Sequence, residues 1–272
     1  MTGLVTTGAT SRSVTGTVHR YWYPLAALVR RDVKKRYAAT VLGLGWTVAQ
    51  PLALIVVYGV VFGFILRSGG PDGDARTFVF FMLSGMLPYL ATAEGIQRAA
   101  TSLREDRTLL DRADFPAEVV PAAKVVGAAL AEAAGLLVLL AALAVSGRPV
   151  SLWIGLLPLL VLARTLLTCG VAWIVSLLAV FISDLVEILS LLLTAWLFLT
   201  PIFYDASAVP DALRWMLLVN PLHHLVEAYR GLIFDGRLAL PTGAAVGLWT
   251  ATLALGGLWF FRKALDRAKD FL

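Results

Sequence analysis

Ionisable side chains set inside long apolar runs are the residues of this chain that most invite chemistry. Glu94, Glu132 and Arg164 each lie within such a run. A charge kept from water is costly, so it must pair, titrate or face a polar path. Glu132 and Arg164 have opposite sign and fall in successive runs, which makes mutual pairing the simplest use for them. Sets that could catalyse are sparse. Asp184 and Glu187 stand one helical turn apart and are the tempting carboxylate pair, suited to holding a metal or acting as a base. His223 and His224 are adjacent, so on a helix they point about 100° apart and make poor joint metal ligands. The single cysteine, Cys169, sits in an apolar run and reads as a small core residue. No G-x-x-x-x-G-K-[ST] string occurs and no Gly precedes a Lys, so the chain has no phosphate-cradling loop of that kind. The expectation is a chain with no catalytic residue and no metal site.

The elements that carry these residues are membrane helices. The chain of 272 residues is 59% hydrophobic and 15% charged, against about 45–50% and about 25% for soluble domains. A spanning helix needs roughly 20 apolar residues, and six segments qualify: 46–66, 78–97, 117–145, 152–180, 185–204 and 241–261. Of the 23 Lys and Arg residues, 16 fall before the first segment, from Arg98 to Lys124, or after the last segment. The bias of basic residues towards the inside places both termini in the cytoplasm. Because the net charge of +5 comes from residues flanking apolar spans, it suits an anionic lipid surface and argues against nucleic acid.

Three stretches are too polar to span. In 25–45, Leu25, Leu28, Val29, Val33 and Tyr37 recur at helical spacing while Arg30, Arg31, Lys34 and Lys35 take the other face, as in a basic amphipathic helix at the membrane surface. Residues 1–24 before it read as a cytoplasmic tail. The connection 101–116 carries opposite charges side by side (Glu105, Asp106, Arg107; Asp111, Arg112) with Leu103, Leu109, Leu110 and Phe115 as anchors for a short helix. That pattern suits docking better than lipid binding. In 201–236 two short helices are expected, one over 211–218 and one capped by Asn220 with Pro221 in its first turn, forming an outer re-entrant or interfacial hairpin. The predicted fold is all-α, with a transmembrane unit over 46–272.

Several strings occur in a telling order: Arg31-Asp32-Val33-Lys34-Lys35-Arg36-Tyr37, Val41-Leu42-Gly43-Leu44-Gly45-Trp46, Gln50-Pro51-Leu52, Ser84-Gly85-Met86-Leu87-Pro88-Tyr89, Asp114-Phe115-Pro116-Ala117-Glu118, Thr200-Pro201-Ile202-Phe203-Tyr204, and Asn220-Pro221-Leu222 with Tyr229-Arg230-Gly231. In that order the chain, from about residue 20 onward, resembles the permease subunits of ATP-binding-cassette exporters of lipid-linked polysaccharides, such as O-antigen, capsule and teichoic acid transporters.

The resemblance implies a multi-pass protein of the bacterial plasma membrane, two copies of which form a pathway above two ATPase subunits that bind ATP and Mg. Membrane lipid and a lipid-linked glycan would be its other partners. On this sequence the ATPase-coupling role falls to Arg31, Asp32, Lys35, Arg36, Leu103, Arg107, Leu109, Leu110, Arg112 and Phe115. An outer gate would use Tyr204, Trp215, Asn220, Tyr229 and Arg230. Sugars stack on aromatic faces through their C–H surfaces, so Trp46, Tyr58, Phe62, Phe81, Tyr89, Trp196, Phe198 and Phe203 are candidate path-lining residues; rings also crowd membrane interfaces for packing reasons alone. Glu132 and Arg164 acquire a second reading, in which they orient the dimer or the sugar path. The alternatives are a permease of the same fold for a drug or small lipid, and a membrane transferase acting on polyprenyl-phosphate sugars through Asp184 and Glu187.

Overall fold

The computed structural model describes residues 14–38, 40–61, 75–110, 115–147, 151–269 and 271. Among them the regular structure is all helical. The first helix, α1 (Val14–Tyr37), starts eleven residues earlier than the amphipathic pattern alone suggested, so residues 14–24 are helical rather than tail. Trp22 extends the same stripe as Leu25, Ala26, Val29 and Val33, and Pro24 inside the helix removes a single backbone donor. A turn of 3-10 helix at Gly43–Gly45 then redirects the chain. It needs a left-handed residue, and Gly43 supplies it with φ of 52°.

α2 (Trp46–Tyr58) opens the first apolar segment; the rest of that segment, with Phe62, lies outside the described residues. α3 (Ala75–Glu105) runs two turns beyond its expected end at 97, because the charges that should have ended it are paired with neighbours. α4 (Arg107–Leu110) is one turn long, and Arg112 beyond it lies outside the described residues. α5 (Val119–Val145) and α6 (Leu157–Phe181) follow, with Pro158 in the first turn of α6. α7 (Leu185–Leu199) stops five residues short of the expected 204. Pro201 has no backbone N–H and disfavours helical geometry at Thr200, which is extended with ψ of 130°.

On the far side, the helix expected over 211–218 is a 3-10 turn at Asp211–Leu213 followed by the six-residue α8 (Arg214–Val219). α9 (Pro221–Ile233) and α10 (Leu240–Lys269) complete the chain. Among the described residues, four helical stretches are long and apolar enough to cross a membrane: Thr77–Glu105, Val119–Val145, Leu152–Phe181 and Leu240–Lys269. Trp46–Val61 and Leu185–Leu199 are apolar but shorter.

The larger core joins α3, α5, α6 and α9 through Met82, Leu83, Leu139, Leu167, Leu222 and Tyr229, all nearly or wholly buried. A second cluster, at the end of the bundle that the basic flanks lead one to expect inside (the inner end), joins α1 to α3, α5, α6 and α10 through Leu28, Val29, Leu103, Val120, Leu177 and Phe261. Glycines set the seam between α6 and α10. A Cβ at Gly170 would stand 2.1 Å from the carbonyl oxygen of Leu253, and one at Gly257 would stand 2.1 Å from that of Gly170. Backbones can approach this closely only where the residues are small, the usual device for packing helices in lipid.

Candidate functional site

α1 lies across the inner ends of α3 and α5 and is fastened there by charge. Arg31 Nη2 donates to Asp106 Oδ2 at 2.6 Å. Asp32 Oδ1 accepts from Arg98 at 2.6 Å and from Lys124 at 3.1 Å, and Lys124 also reaches Glu105 at 3.1 Å. Arg36 pairs with Glu94 at 2.6 Å, and Arg98 reaches the same carboxylate at 3.2 Å. A network running Arg36–Glu94–Arg98–Asp32–Lys124–Glu105, with the separate Arg31–Asp106 pair beside it, therefore ties α1 to both neighbours. Its centre, Asp32, is buried because α5 offers Gly127 there: a Cβ at that position would stand 3.0 Å from Asp32 Oδ2.

This arrangement redistributes the residues singled out for coupling. Arg31, Asp32 and Arg36 turn towards the bundle, and Leu103 and Leu110 are buried in the inner cluster. Leu109 and Phe115 are half-buried against that cluster. Among the described members of the set, Lys35 and Arg107 are exposed. The adjacent opposite charges at 105–107 looked like a docking surface, but Glu105 and Asp106 take their partners from within the chain. Sequence reasoning missed Arg98 and Lys124, the cations that meet Asp32; a pair 66 or 92 residues apart leaves no local signal.

At the outer end the chemistry is drier. Arg164 Nε stands 2.8 Å from Glu132 Oε2 with both side chains wholly buried, a close ion pair between α6 and α5. Glu132 Oε1 accepts from the Tyr229 hydroxyl at 2.7 Å, which brings α9 into the same group. The next residue, Arg230, donates to the carbonyls of Pro201 at 2.7 Å and Ile202 at 2.9 Å, and its guanidinium lies 3.5 Å from the centre of the Phe81 ring. Asn220 caps α9 by accepting from the Leu222 amide at 3.0 Å; the same oxygen accepts from Trp196 Nε1 at 2.8 Å, and its amide donates to Thr200. Three of the five gate candidates, Asn220, Tyr229 and Arg230, are thus anchors of α9. Tyr204 donates to the Phe198 carbonyl at 2.8 Å, and Trp215 is exposed. His223, also on α9, is pushed down to about 4 by burial, with His224 and Arg230 nearby adding to the effect.

The structure separates the aromatic candidates. Tyr89 donates to the Leu193 carbonyl at 2.6 Å and is buried, Phe81 lies under Arg230, and Trp196 holds Asn220. Tyr58 and Phe203 are half-buried against the larger core, while Trp46 and Phe198 face outward. Between α2, α3 and α5 a cavity of about 50 Å³ is bordered by Arg36, Thr47, Gln50, Glu94 and Glu132 among mostly apolar neighbours such as Leu54 and Leu87, so two of the three intramembrane charges border one small space. Asp184 and Glu187 are both exposed at the start of α7.

Comparison with known proteins settles the family. Residues 23–234 match the ABC-2 type transporter family. The chain belongs to that family. It is 31% identical over 248 residues to the O-antigen export system permease protein RfbA of Myxococcus xanthus, covering 86% of this chain and 92% of that one. A Klebsiella pneumoniae protein of the same description is 27% identical over 249 residues, covering 91% and 94%. The polysialic acid transport protein KpsM of Escherichia coli is 23% identical over 219 residues, covering 78% and 82%. This ABC-2 family member is a multi-pass membrane protein, and its relatives are transport permeases.

Proposed function

We propose that this chain is the permease subunit of an ATP-driven exporter that carries a lipid-linked polysaccharide from the cytoplasm across the bacterial plasma membrane. Two copies form the pathway, two ATPase subunits bind ATP and Mg beneath it, and both termini face the cytoplasm. The observation that carries the reading is the similarity over most of both chains to permeases named for O-antigen export. The inner-end geometry agrees with it. A force applied near α4 is passed through Asp106 to α1 and through Leu103 to the second core, so the end of α3 and α1 move as one piece.

The test is export. Cells lacking this gene, with the ATPase subunit present, should accumulate lipid-linked glycan on the inner face of the membrane, and restoring the gene should clear it. Unchanged glycan export together with a new sensitivity to small apolar compounds would favour the drug or small-lipid alternative. Native mass spectrometry of the solubilised complex should find two permeases with two ATPase subunits. The double variant K35Q/R107Q should retain its fold while losing ATPase subunits from that complex, because both side chains are exposed.

A further inference from the structure

The cations of α1 differ in their partners. Arg31 and Arg36 meet acidic residues of α3. Arg30 and Lys34 have no acidic partner among the described residues, although they stand one turn apart on the same helix, where like charges repel. Both border a groove of about 760 Å³ between α1 and α5 whose floor is apolar, built from Trp22, Leu25, Val29, Val33, Val126 and Leu130. The α5 wall continues into positions open to the bilayer, with Leu130 53% and Leu137 69% exposed, so the groove opens towards lipid. Two unpaired cations at the rim of an apolar slot suit a ligand with an anionic head and a hydrocarbon tail.

We propose that this groove holds one anionic phospholipid of the inner leaflet, its phosphate between Arg30 and Lys34 and an acyl chain along Val29, Val33, Val126 and Leu130. The inference rests on α1 lying at the inner membrane surface. A phosphate there relieves the repulsion between the two cations, and the chain covers the apolar floor. The seated lipid then closes the side of α1 that the ion network leaves open.

The experiment is native mass spectrometry of the purified full chain in mild detergent, offered equal amounts of phosphatidylglycerol and phosphatidylethanolamine with identical acyl chains. One phosphatidylglycerol per chain should survive selectively, and the variant R30Q/K34Q should retain it about thirtyfold less. Val126→Trp, which fills the groove without touching a charge, should also lose the lipid. Arg20→Gln, also on α1 and exposed but off the groove, should retain the lipid as the wild type does. All variants are checked for unchanged melting before they are read. Equal retention by R30Q/K34Q, equal retention of the two lipids, retention by Val126→Trp, or an isoprenyl phosphate found in place of the phospholipid would each overturn the proposal. Export is not read here, so the exporter reading can fail while the lipid remains bound, and the reverse.

Discussion

The inner end of the bundle holds α1 by charges that remain within reach of water, whereas the outer end holds α9 by charges that are not. In the inner network the exposure of the paired side chains rises to 52% at Glu105; in the outer pair Glu132 and Arg164 are both at 0%. Exposed ion pairs contribute about 0–1 kcal/mol each and weaken with salt. A buried pair adds little net stability, yet costs about 3–5 kcal/mol to break from one side, because the remaining charge has nowhere to go. The inner end is therefore suited to being loosened and remade, and the outer end to holding still.

The sharpest way to break this comparison is at the outer pair. Glu132→Leu or Arg164→Leu alone should lower stability by about 3 kcal/mol, seen as a loss of melting temperature in detergent. The double variant E132M/R164L should recover most of it. If the double variant is also normal in export, the role of the pair in orienting a dimer or sugar path is excluded; if it melts normally and fails to export, that role stands.

A smaller effect is expected at the inner end. Asp32→Asn leaves Arg98 and Lys124 facing each other and should cost about 1–2 kcal/mol. The penalty should shrink at high salt, and protease access to α1 should rise. A salt-independent loss would mean that the inner network is as dry as the outer one.

The outer end also carries a pH effect. His223 has a pKa near 4 when folded against about 6.5 when unfolded, so between these values the unfolded chain binds the extra proton. Stability should thus fall as pH drops from about 6.5 towards 4, and His223→Gln should flatten that part of a melting-temperature profile. An unchanged slope would show that His223 is open to water at the outer end.

Much of the fold could be read from residues alone, for identifiable reasons. Runs such as 117–145 and 152–180 are so apolar that only a helix in lipid satisfies their backbone, and α5 and α6 occupy them closely. Asn220-Pro221 marked the start of α9 because a cap and a first-turn proline act locally. The candidate site was less legible. Arg31, Leu103 and Leu110 have the residue types of a docking surface, and only packing turned them inward. Tyr229 and Arg230 read as gate residues, and nothing near them in the chain points to Glu132 or Phe81 as their partners.

By itself the sequence determined that this protein lies in a membrane, where its apolar runs fall, where the cap and first-turn proline open α9, and that no G-x-x-x-x-G-K-[ST] string occurs in it. Those follow from hydrophobicity and from interactions a few residues long. The tertiary structure decided which charges are buried against each other and which remain free, that α6 and α10 meet backbone to backbone at Gly170 and Gly257, and that α9 is anchored rather than loose. These depend on contacts between residues tens of positions apart, whose meeting is set by how helices rotate and cross, and helical period alone does not specify either.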